Sequence, residues 1–81
     1  MLTPEQQRQY NSDIDQSIQR AENNLRSITN RQLTNEQKAS MEEAQNFVRQ
    51  AQAARASDLP AAKRLAERAD VLAANLANSF K

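Results

Sequence analysis

Residues 29–38 read TNRQLTNEQK, and the fold turns on whether this decade continues a helix or breaks one. Thr34 is a residue type that caps helix starts through its hydroxyl, and Gln37 stands three positions later, where its amide can reach back to the cap backbone. Glu36 adds negative charge at the positive end of the new helix dipole. The same signal stands at residues 2–7, LTPEQQ, where Thr3 and Gln6 repeat the pair and Pro4 takes the position whose missing N–H costs nothing. The decade therefore separates two helices, and Asn30 is expected to end the first in a left-handed cap, since the chain has no glycine for that position.

Working outward, the first helix carries Ile14, Ile18, Ala21, Leu25 and Ile28 at spacings of three and four, with Tyr10 on its flank. The second carries Met41, Ala44, Val48 and Ala51, widened by Phe47 and Ala54. Asp58 is the cap expected for a third, with Pro60 tolerated in its first turn. Its stripe is the broadest: Ala62, Leu65, Ala66, Ala69, Leu72, Ala73, Leu76 and Phe80. A face this wide should contact both other helices. Short connectors force neighbouring helices to run antiparallel. The fold class expected is all-α, an antiparallel up-down-up three-helix bundle with helices over about 3–29, 34–56 and 58–79.

The two start signals do not amount to an internal duplication. The caps match at an offset of 31 positions, but Ile14, Ile18 and Ala21 match Ala44, Val48 and Ala51 at 30, and Leu25 then meets Arg55. The repetition reads as convergent helix-start chemistry.

Composition narrows function by exclusion. Eighty-one residues suit one domain, because a chain this short buries only about 60% of its unfolded surface. Histidine, cysteine and glycine are all absent. Their absence disfavours proton transfer by imidazole, thiolate nucleophiles or thiolate metal sites, and glycine-built phosphate loops. The net charge of +1 suggests no nucleic-acid partner, and no apolar run reaches the roughly 18 residues that span a bilayer. Asp13 with Asp15 and Glu42 with Glu43 are the paired carboxylates, but residues one or two apart on a helix do not face each other. No catalytic residue, cofactor, metal or small-molecule substrate is expected.

Four residues stand out for interaction. Leu72 and Phe80 lie on the broad third stripe, which exceeds what two neighbours cover and so predicts self-association. The alternative is a monomeric adaptor that takes a partner helix or peptide in the groove between helices 2 and 3, with charge-sensitive binding through Arg64 and Arg68. Arg49, Arg55 and Lys63 gather near the same junction and extend a basic patch. Glu22 with Arg26 and Lys63 with Glu67 have the i,i+4 spacing of solvated pairs. The polar faces are rich in amides, as in NNLRSITNRQ and QNFVRQAQ, which suits lateral hydrogen bonding in an assembly.

Residues 44–77, AQNFVRQAQAARASDLPAAKRLAERADVLAANLA, resemble a single hairpin of the tetratricopeptide type, with Ala62, Leu65 and Ala69 in its second helix; the glycine and closing proline of that repeat are missing. The whole chain, through LTPEQQ, LTNEQK, FVRQAQAA and DLPAAKRLAERADVLAANL, is similar to helical C-terminal regions of uncharacterised bacterial envelope or lipoprotein-like proteins. That resemblance implies a single helical domain over 1–81, excised from a longer parent of the cell envelope, with no activity attached.

Overall fold

The computed structural model describes residues 2–80, which form three helices in the order expected: α1 (Pro4–Ile28), α2 (Asn35–Ala54) and α3 (Leu59–Asn78). Both start signals close as complete capping boxes with matching dimensions. The Thr3 N–H donates to Gln6 Oε1 at 2.9 Å and the Gln6 N–H to Thr3 Oγ1 at 3.1 Å; Thr34 and Gln37 repeat both distances. The Asp58 carboxylate accepts from the Ala61 N–H at 3.1 Å and starts α3.

The helix ends differ from expectation. Asn30 does not adopt a left-handed cap: among the described residues none has positive φ. Instead, the cap residues Thr29, Arg55 and Ser79 stay right-handed. Three-residue bonds tighten the turns beyond the helices, from the N–H groups of Thr29 to the Arg26 carbonyl, Arg31 to Ile28 and Ser57 to Ala54. The Thr29 hydroxyl donates to the Leu25 carbonyl at 2.8 Å, satisfying a last-turn acceptor without a residue in the αL region.

The molecule is a rod whose axes span 45 × 18 × 15 Å. α3 packs along both other helices, whereas α1 and α2 meet only thinly, so the broad stripe lies in the middle as its width requires. Chain direction then makes α1 and α3 parallel and α2 antiparallel to each. The packing is built on small residues: Ala21, Ala44, Ala51, Ala62, Ala66, Ala69 and Ala73 are buried, with Ile14, Ile18, Leu25, Ile28 and Leu76 the large buried side chains. Alanine lets α3 approach two helices at once, near the short end of the usual 8–10 Å spacing. The core falls into two clusters, one around Ile14 and Ile18 at the start of α1 and one around Leu25, Ile28 and Leu76 at its end, with Val48 packed against both.

Candidate functional site: an apolar trough between α2 and α3

The two faces of α3 treat charge differently. Along α1, side chains fifty positions apart are level with each other, and acids meet bases there. Lys63 Nζ lies 3.2 Å from Asp13 Oδ2, and Arg20 Nε lies 2.9 Å from Asp70 Oδ2. Gln9 donates to Asp13 at 2.9 Å; this bond, and then Lys63, hold the Asp13 carboxyl below its ordinary range, while Asp13 holds the Lys63 ammonium above its own. Both groups are thus kept in their charged forms, the opposite of what a general acid or base needs near neutral pH. The seam is completed at its lower end by Arg55, which lies 2.7 Å from Asp15 and donates to the Asn11 side chain at 2.9 Å.

The α2 side of α3 lacks such stitching. Its one cross-helix hydrogen bond among the described residues runs from Gln37 to Ser79 at 3.4 Å, at the far end. Between that end and the α2–α3 turn lies an open trough of about 520 Å³, lined by Glu43 and Phe47 of α2 and by Arg64, Glu67, Arg68, Val71 and Leu72 of α3. The helical period puts these residues on one face: 43 and 47 are one turn apart, and 64, 68 and 71 or 72 follow each other at three or four. Phe47 and Leu72 are half-buried against the upper core cluster and form the floor. Val71 stands at the rim with 58% of its surface open, the most exposed large apolar side chain among the described residues. Arg68 holds its guanidinium carbon 6.0 Å from the Phe47 ring centroid, at the outer reach of a cation–π contact.

Charge along this trough is polarised. Gln37 meets Ser79 and Phe47 meets Arg68, so the antiparallel register places Glu43 level with Leu72. With Glu67 drawn to Lys63, the remaining lining charges are Arg64 and Arg68 towards one end and Glu43 towards the other. None of these three makes an ion pair among the described residues; Glu67 alone of the lining charges does, at 3.9 Å from Lys63.

Of the residues singled out in the sequence, Arg64, Arg68 and Leu72 come together in the trough, and Phe80 does not. Phe80 packs on the upper core under Arg31, whose guanidinium carbon lies 5.2 Å from the ring centroid. Tyr10, its counterpart at the other end, lies under Lys63 at 5.4 Å. The basic patch is corrected by the structure. Arg55 and Lys63 are drawn to the acids of α1, and Arg49 bonds Asn46 on its own helix and lines the α1–α2 side. Only Arg64 and Arg68 remain together. The Lys63–Glu67 pair forms, whereas Glu22 and Arg26 make no ion pair among the described residues. Several surface amides bond along their own helix, Gln9 to Asp13, Gln16 to Ser12 and Gln19 to Asn23.

Val71 is the lining residue that sequence reading missed. It lies outside the alanine and leucine stripe, and its only signal is being the one β-branched residue on α3. Asp13, Asp15, Glu42 and Glu43 do not converge: the first two are bound to different bases, and among the described residues no three acidic side chains group as a metal site would need.

The described residues thus define a small all-α three-helix protein with an open, partly apolar trough on one flank of its central helix. No protein-family model, no curated protein and no solved structure matches the chain. Among the described residues no helix is long and apolar enough to cross a membrane.

Proposed function

We propose that this chain is a non-catalytic protein-interaction module that docks another protein surface along the α2–α3 trough. The observation that carries the reading is the contrast between the two flanks of α3: acid–base pairs occupy the α1 flank, while on the α2 flank Arg64, Arg68 and Glu43 make no ion pair among the described residues, and exposed Val71 stands on the outer ridge of α3, lining the clefts on both sides. An apolar centre rimmed by charge is the common anatomy of an interface. The similarity to helical regions of bacterial envelope proteins is a reason to look for the docked surface in that compartment.

The test is photo-crosslinking in cells of origin, with a benzophenone amino acid replacing Val71 and, as control, Gln19 on the outer face of α1. Docking through the trough predicts a defined adduct from position 71 and none from position 19. Equal labelling from both positions, or none from either, would refute it.

A further inference from the structure

The trough's charge pattern is complementary to itself, and we infer that its occupant is a second copy of this chain, joined face to face about a two-fold axis beside Val71. The inference rests on the interaction-module reading and adds the identity of the partner.

Two identical faces related by a two-fold axis lying across the helices meet with their directions reversed, so each level of one trough lies opposite the level equally far beyond the axis in the other. With the axis near residue 70 of α3, Val71 meets its own counterpart. The level of Arg68 then meets the level of Leu72, which is also the level of Glu43. Arg68 of each copy stands diagonally across the joined trough from Glu43 of the other, one interhelix spacing sideways and one between the faces, about 11–14 Å between helix axes. An arginine and a glutamate side chain together span that gap. Two such pairs form at once, flanking a centre made of Val71, Phe47 and Leu72 from both copies. The aliphatic stems of Arg64 and Arg68 cover the apolar rim while their charged heads stay in water. The α1 flank offers no such match, because its acids and bases already hold one another.

The size of the face sets the strength. With the axis near residue 70, α3 helices running antiparallel overlap along about 24 Å, and a width of at most 18 Å gives no more than about 430 Å² per copy. The total, at most about 860 Å², is the size of a weak, transient interface, so the dimer exchanges with monomer as concentration changes.

The experiment is sedimentation equilibrium of the full chain over a hundredfold range of concentration, with Arg68→Glu, Glu43→Arg and an equimolar mixture of these two. Both residues are exposed, and circular dichroism checks that each variant keeps its helices. The wild type is expected to pass from monomer to dimer. Each variant alone opposes like charges twice and should lose at least tenfold in association. In the mixture both pairs become opposite again, so the two variants, separately monomeric, should form a dimer with each other. A wild type that stays monomeric throughout overturns the second copy, and a position-71 adduct to a foreign protein would then show the docking reading standing without it. A wild-type dimer whose variants associate as tightly, or whose mixture fails to dimerise, overturns the stated pairing.

Discussion

Ile14→Ala should be the most informative single truncation in the core. Ile14 is fully buried, and the lower cluster gathers it with Ile18, Ala51, Ala62 and Ala66, so only two of its buried members are large. Removing three carbons at about 0.8 kcal/mol each costs about 2.4 kcal/mol in transfer free energy alone. The alanines lining the hole have no side-chain rotamers with which to fill it, which adds a cavity penalty and brings the loss to about 3–4 kcal/mol. For 81 residues the whole stability is on the order of 4–12 kcal/mol. The melting temperature should therefore fall by at least about 12 °C, at 4–8 °C per kcal/mol. Urea unfolding followed at 222 nm gives the value, with Val71→Ala as a control expected to stay within about 0.5 kcal/mol because that side chain is exposed. A loss below about 1 kcal/mol for Ile14→Ala would mean that the first half of α1 is not docked on α3, and the packing described here would be wrong.

Three other outcomes follow from the packing. Ala69→Leu inserts three carbons where α3 is fully buried and should cost about 1–3 kcal/mol in a thermal melt; a neutral result would show slack in the core. Thr34→Ala removes the α2 capping box and should cost about 1 kcal/mol, a fall of about 4–8 °C in Tm, with Ser at the same position largely restoring it. The Asp13–Lys63 contact should give a small pH dependence at both extremes. Asp13 is held low, so its contribution is present above the range of an unfolded aspartate and drains away as pH falls through its folded value; Lys63 is held high, so its contribution is complete below the range of an unfolded lysine and is lost as pH rises through its folded value. Asp13→Asn should remove both slopes, and unchanged slopes would assign them to other groups.

What the sequence made legible is what short-range chemistry fixes. Thr3 with Gln6 and Thr34 with Gln37 act within one turn, so both helix starts were readable, and the wide stripe of α3 implied its central place. The end at Asn30 was not, because a chain without glycine can close its helices with right-handed three-residue turns as well as with a left-handed cap. The fate of the basic patch depended on register between helices fifty positions apart. Arg55, Lys63, Arg64 and Arg68 look alike in the sequence; the parallel alignment of α1 with α3 draws Lys63 to Asp13, and the end of α2 beside α1 brings its cap residue Arg55 to Asp15. Val71 escaped because stripe reading searches for apolar residues in phase with the core, and an apolar residue out of phase has meaning only once its neighbours on α2 are known. Phe80 was in phase with the stripe and readable as a cap on the core, and it closes the upper core under Arg31.

Backbone amide shifts recorded by NMR over a hundredfold range of protein concentration test the central claim most directly. Association through the trough predicts concentration-dependent shifts centred on Glu43, Phe47 and the stretch from Arg64 to Leu72, with Gln19 and Asn23 on the outer face of α1 unmoved. Shifts centred on α1, or spectra that do not change with concentration, would contradict it.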